Sequence, residues 1–183
     1  MVDEHSAIDT AQRIVHVSAV VIRNHAGHVL TVRKAASSGF MMPGGKPDAG
    51  ESPLHAAVRE VTEELGFAPD PAQMVYLGKF DAPALNESGF VVRAETFEYM
   101  PHPQEEKILE QLSPHAEIAE LRWVDPAADY ADQAPLNTEC IFPLICRISP
   151  GETPCWLRSL ISSLGAALLV GPSLTRGKIL MSS

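Results

Sequence analysis

The sequence predicts an α/β domain of the layered α+β kind. Segments rich in β-branched residues dominate the chain and are joined by short links. One prominent amphipathic helix is expected near residues 53–65 and a second near 137–147. No internal repeat and no strong linker divides the chain, and its order is not the regular alternation of a βαβ wheel. A length of 183 residues is enough for one domain with a real core.

Taken in order, residues 1–13 are polar and without clear period, and read as a loose arm. The domain proper is expected over 14–148. VHVSAVVI at 15–22 reads as a central strand, and 29–32 as its hairpin partner across the Asn24–His28 turn. Residues 34–39 form a small-residue loop leading to Phe40-Met41-Met42-Pro43-Gly44-Gly45. Strands are expected at 74–80, 90–100 and 117–124, with a loop at 81–89 and a short helical patch at 105–112. Asn137 or Thr138 could cap a late helix to about Arg147, with Pro143 tolerable only in its first turns. Residues 149–183 form a tail with a Leu157/Leu160/Ile161/Leu164/Leu168 stripe and no assigned role.

The chain holds 14 Lys+Arg against 23 Asp+Glu, a formal charge of −9. That balance disfavours a non-specific grip on nucleic acid, which needs basic patches. It admits a small phosphorylated ligand if a cation supplies positive charge. Cys140, Cys146 and Cys155 are odd in number and form no C-x-x-C pair, so neither a disulfide framework nor a zinc site is expected. The acidic N-terminus lacks a secretory apolar run, and Leu164–Val170 is too short to span a bilayer. A cytoplasmic protein without a membrane partner is expected.

The informative stretch is Gly45–Phe67, GKPDAGESPLHAAVREVTEELGF. Ser52 suits an N-cap, Pro53 the first helical position and Gly66 a left-handed C-terminal cap. At about 100° per residue, Leu54, Ala57, Val58, Val61 and Leu65 form the core face. Glu60, Glu63 and Glu64 share another arc, with Arg59 beside Glu63. Taken alone, E-x-x-E-E is a solvated acidic face. Its carboxylates repel one another, and a divalent cation would turn that repulsion into coordination. All-oxygen ligands suit Mg²⁺ or Mn²⁺ rather than Zn²⁺. Pro43-Gly44-Gly45 allows a backbone to come close to a metal or phosphate.

Gly45, Glu51, Arg59, Glu60, Val61, Glu63, Glu64, Gly66 and Phe67 fill the pattern G-x5-E-x7-R-E-U-x-E-E-x-G-U, U being a bulky apolar residue. The chain therefore resembles the Nudix hydrolases, the MutT-like superfamily, over about residues 14–147. The resemblance implies an α/β/α sandwich with a mixed sheet between helices. It also implies Mg²⁺-dependent attack of water on phosphorus in a nucleoside diphosphate linked to another group. Carried over by position, the metal ligands would be Glu60, Glu63, Glu64 and the Gly45 carbonyl. Arg59 would orient the carboxylates and Glu51 would support them. Glu117, six residues before Trp123, is the candidate general base, with Glu105, Glu106 and Glu120 as rivals. Arg33, Phe40, Phe80, Asn86 and Phe90 are candidate substrate contacts.

Pro83, 16 residues beyond Phe67, is similar to a marker of ADP-ribose pyrophosphatases, so that substrate class or a nucleotide sugar is the alternative. Outside catalysis, a nucleotide-sensing member without turnover is the competing reading, although such proteins often lose motif glutamates and all are present here. An isomerase of isoprenoid diphosphates on the same fold needs a pocket cysteine, and the three cysteines come late. A homodimer is left open.

Overall fold

A computed structural model describes residues 13–147. Most of the domain is one mixed sheet of six strands: β1 (Arg13–Arg23), β2 (Val29–Lys34), β3 (Gly44–Gly45), β4 (Val75–Pro83), β5 (Phe90–Tyr99) and β6 (Ile118–Val124). Their order is β4-β5-β1-β2-β6, with β3 paired to β1 beside that path. β1 and β5 run parallel, and the other pairs are antiparallel. The helices are α1 (Pro53–Leu65), α2 (Pro103–Glu110) and a late helix that opens with a π-turn, Leu136–Ile141, and continues as α3 (Phe142–Ile145). Among the described residues, no helix is long and apolar enough to cross a membrane.

Period-two alternation along β1 divides the core. Val20 and Ile22 join Leu30, Val32, Ala57, Val61, Leu65 and Tyr99 in one cluster, which packs α1 on the sheet. Ala19 and Val21 join Val29, Leu77, Ala94, Ile141, Phe142 and Ile145 in the other. The sheet thus lies between α1 and the late helix, the expected sandwich. A buried ion pair fastens the second interface. Arg23 Nη2 lies 2.5 Å from Glu98 Oε1, and Arg23 Nη1 donates to the Ile145 carbonyl at 3.3 Å. Removing one partner of such a pair costs about 3–5 kcal/mol, because a buried charge is left uncompensated.

The hairpin is shorter than expected. β1 and β2 pair only at Ile22↔Leu30 and Arg23↔Val29 and then splay apart. The segment 40–45 wedges into the gap. Met41 exchanges backbone bonds with Val32, Val20 N–H donates to the Pro43 carbonyl, and Gly44-Gly45 pairs with Ala19-Ser18. Gly44 has φ 145°, and a Cβ there would fall 2.1 Å from the Ser18 carbonyl oxygen. Only glycine fits between these strands.

Other boundaries shift for identifiable reasons. Arg13, assigned to the loose arm, already pairs with Phe90. β4 runs on through Pro83, where a loop was expected. β4 is an edge strand, so a missing N–H is tolerated there. The late helix begins at Leu136 without a side-chain cap, and its π-turn sets Pro143 in the first turn of α3, where no donor is needed. The arm before Arg13 and the tail expected at 149–183 lie outside the described residues.

Candidate active site

α1 forms as its sequence requires. Ser52 Oγ accepts the His55 N–H at 3.2 Å, and Gly66 closes the helix at φ 63° with its N–H bonded to the Thr62 carbonyl. The helix is aimed with its last two turns beside the Gly44-Gly45 strand. Glu60 abuts Gly45 so closely that a Cβ on residue 45 would lie 2.4 Å from its carboxylate carbon.

Arg59 gathers the acidic residues. Its Nη2 donates to Glu51 Oε2 at 2.9 Å and its Nε to Glu51 Oε1 at 3.1 Å, a two-pronged grip. Its Nη1 reaches Glu60 Oε1 at 2.9 Å and Glu63 Oε2 at 3.3 Å, and its Nη2 also donates to the Lys46 carbonyl at 3.1 Å. Glu51 accepts the Asp48 N–H at 2.9 Å. The Arg59 guanidinium, with help from that N–H, holds the Glu51 carboxyl below the usual carboxylate range. Glu51 and Glu60 in turn push the Arg59 pKa further up.

Glu64 does not share the surroundings of Glu60 and Glu63. Its side chain is 2% exposed, whereas that of Glu63 is 60% exposed. Seven residues of helix turn Glu64 to within about 20° of Ala57 in projection, at the rim of the core face. Gly44 N–H donates to Glu64 Oε2 at 3.0 Å, and Lys34 Nζ lies 2.8 Å from Oε1. Burial pushes the Glu64 carboxyl up, and Lys34 and the Gly44 N–H offset only part of that. Burial pulls the Lys34 ammonium down, but Glu117 and Glu64 outweigh it and leave its pKa raised.

Lys34 also reaches Glu117 Oε1 at 2.6 Å, which brings the candidate base to the cluster. The rival acids are engaged elsewhere. Glu105 caps α2 through the His102 N–H at 2.8 Å, Glu106 pairs with His25, and Glu120 pairs with Arg33 and Arg122.

Among the described residues, no three acidic, His or Cys side chains converge as a ready ion cage. Arg59 and Lys34 stand at the carboxylates instead. The donor set nevertheless fits a hard divalent cation. Every candidate ligand atom is oxygen, the Glu60 carboxylate lies against a backbone with no side chain, and Glu63 and Glu64 Oε1 face only the cationic ends of Arg59 and Lys34.

A cavity opens beside this cluster, sharing Gly44 and Lys46 with it. Val17, Met42, Pro83 and Leu136 give it apolar walls. Asn137 Oδ1, on a lining residue, is buried without a hydrogen-bond partner among the described residues. Ser18 Oγ is also buried without one, but alternation along β1 turns it to the α1 face with Val20 and Ile22. Apolar walls with an unspent polar atom suit a small organic group. Asn86 lines the cavity too, and its amide bonds Ser37 and Ser38 in the neighbouring loop.

The other expected contacts lie elsewhere. Phe40 is 1% exposed, with the Arg122 guanidinium 3.8 Å over its ring centroid and Arg33 5.8 Å away. Its backbone braces the 132–134 segment through two 2.7 Å bonds. Arg33 points away from α1 and pairs with Glu120 at 3.0 Å. Phe80 packs on the core and Phe90 lies beneath Arg13. Cys140 and Cys146 are free, and neither lines the cavity. Sequence reasoning missed Ser18, a small polar residue interrupting a β-branched strand, and read Asn137 only as a helix cap.

Known proteins resemble this chain in sequence and in fold. An 8-oxo-dGTP diphosphatase of Haemophilus influenzae is 34% identical over 76 residues, 39% of this chain and 56% of that relative. An RNA pyrophosphohydrolase of Halorhodospira halophila is 37% identical over 59 residues, 32% of each chain. The matches thus span about a third to just over half the length of these curated relatives. The crystal structure of a MutT protein from Methanosarcina mazei Go1 superposes with a TM-score of 0.56 at 20% identity, covering 75% of this chain and 96% of that one, which shows a shared fold. The NUDIX domain family matches residues 12–141, and with the sandwich and the motif in register, the chain belongs to that family.

Proposed function

We propose that this chain is a Mg²⁺-dependent hydrolase of a diphosphate linkage in a nucleoside di- or triphosphate or a related nucleotide. The observation that carries this reading is the shared loop: Gly44 and Lys46 border both the carboxylate cluster and the largely apolar cavity. A molecule with its organic end in the cavity would therefore present its phosphates to α1.

Glu60, Glu63, Glu64 and the Gly45 carbonyl would hold the cation, with Mn²⁺ able to replace Mg²⁺. When bound, it would neutralise phosphate charge and lower the pKa of a water. Arg59, anchored by Glu51, would orient Glu60 and Glu63. Glu117 would accept the proton of the attacking water, and Lys46 at the cavity rim would meet phosphate charge. Asn137 would read the organic group. Free Cys140 and Cys146 agree with a cytoplasmic site of action.

The test is a panel of nucleoside triphosphates, 8-oxo-dGTP, ADP-ribose and nucleotide sugars with Mg²⁺, following phosphate release through coupled enzymes. Turnover of at least one compound that is abolished by EDTA, and strongly reduced in Glu63→Gln and Glu64→Gln, is expected. Full activity in both variants would sink the metal assignment. No turnover of any compound would favour a nucleotide-sensing role.

A further inference from the structure

Lys34 stands apart from the motif in sequence but at its centre in space. Leu30 and Val32 of β2 point into the core beneath α1, and Lys34 continues that face by period two. The β2–β6 register slips at this point, from Arg33↔Glu120 to Lys34↔Ile118. The unpaired extra residue is Ala119 of β6, so β6 bends while β2 keeps its alternation through Lys34. Alternation along β2 sends Arg33 to Glu120 on one face and Lys34 to Glu64 on the other. The backbone completes the junction, since Ala35 N–H donates to the Glu117 carbonyl at 3.0 Å.

The electrostatics need a cation at this place. The Glu64 side chain is 2% exposed, and the neighbouring Glu60 adds like charge. The Gly44 N–H satisfies one oxygen, and Lys34 faces the other at 2.8 Å. The Lys34 side chain is only 25% exposed, and both its partners are carboxylates, so it is not a loose surface pair.

We propose that Lys34 is the built-in counter-cation of the catalytic cluster: its ammonium holds Glu64 and Glu117 together when no divalent ion is bound, and it must release Glu64 before that carboxylate can ligate one. This rests on the reading that the motif glutamates bind a divalent ion. Lys34 is then a positioning residue with two effects. It lets the site fold without metal, and it sets the ion affinity by competition. It also keeps Glu117 at the cluster when Glu64 is released.

The experiment compares wild type, Lys34→Met and Lys34→Arg. Mn²⁺ binding is read by electron paramagnetic resonance, and thermal unfolding is followed in EDTA and in Mg²⁺. Lys34→Met is expected to lower the Tm in EDTA, to recover more Tm with Mg²⁺ than wild type does, and to bind Mn²⁺ about tenfold more tightly. Lys34→Arg, which keeps the charge, should stay close to wild type in EDTA. Should Lys34→Met not fold, the wild-type protein still decides. The ¹⁵N resonance of the Lys34 ammonium should be visible in EDTA and should shift or vanish at saturating Mg²⁺. Unchanged or weaker Mn²⁺ binding by Lys34→Met, or an unmoved ammonium resonance at saturating Mg²⁺, overturns the proposal while leaving the metal reading intact. Absence of Mn²⁺ binding by wild type overturns both.

Discussion

The carboxylate of Glu60 lies against Gly45 with no room for a side chain between them, since a Cβ on residue 45 would come within 2.4 Å of its carbon. One glycine thus decides how near the loop comes to the helix. Gly45→Ala should push Glu60 off the loop while leaving α1 folded. Turnover is expected to fall about 10- to 100-fold, the usual cost of disturbing groups around a metal site. Calorimetric titration should show weaker Mg²⁺ binding with an unchanged circular dichroism spectrum.

Arg59→Lys keeps the charge but loses the fork that binds Glu51, Glu60, Glu63 and the Lys46 carbonyl together. A drop of about 10- to 100-fold in kcat is expected, with little change in stability. Wild-type kcat in this variant would mean that orientation by the guanidinium is unimportant.

Glu63 and Glu64 should separate in stability although both affect turnover. Glu63 is exposed, so Glu63→Gln should change the unfolding free energy by no more than about 0.5 kcal/mol. Glu64→Ala leaves the Gly44 N–H without its acceptor and Lys34 with Glu117 alone, at a cost of about 1–3 kcal/mol. Urea titration in EDTA measures both.

Phe40 is a brace beneath Arg122, away from the cavity. Phe40→Ala should cost about 3–5 kcal/mol through the cavity it leaves. Phe40→Leu should cost less than about 1.5 kcal/mol and leave KM unchanged. A raised KM in Phe40→Leu at wild-type stability would return the ring to the substrate site.

Asp81 and Arg93 face each other across β4 and β5 through two bonds, of 2.8 and 2.6 Å. The guanidinium holds the Asp81 carboxyl below its usual range. Since the folded value is depressed, the pair's contribution is present above the unfolded pKa and disappears as pH falls through the folded one. Carbon-detected NMR titration should show Asp81 protonating later than an ordinary aspartate on acidification. Arg93→Gln should return it to the ordinary range.

The sequence by itself determined α1 from Ser52 to Gly66, because caps, stripe and punctuation are local and agree with one another. It also determined the strand order along the chain and the family, since a motif with fixed spacing is a one-dimensional object. Only the tertiary structure decided what each glutamate faces. Glu63 and Glu64 are neighbours in sequence, yet one meets solvent and Arg59 while the other meets Lys34 and the Gly44 N–H. That difference arises where the helix rim meets a strand 30 residues earlier in the chain, a meeting that no local pattern records. The same holds for the cavity. Ser18, the 83–87 stretch and Asn137 come from three separate segments and are brought together by sheet order and by the wedge of Gly44-Gly45 against β1. An aromatic beside a glycine loop reads in sequence equally as pocket wall or as core, and Phe40 is such a residue. Its burial beneath Arg122 depends on where β6 lies, which long-range pairing alone sets.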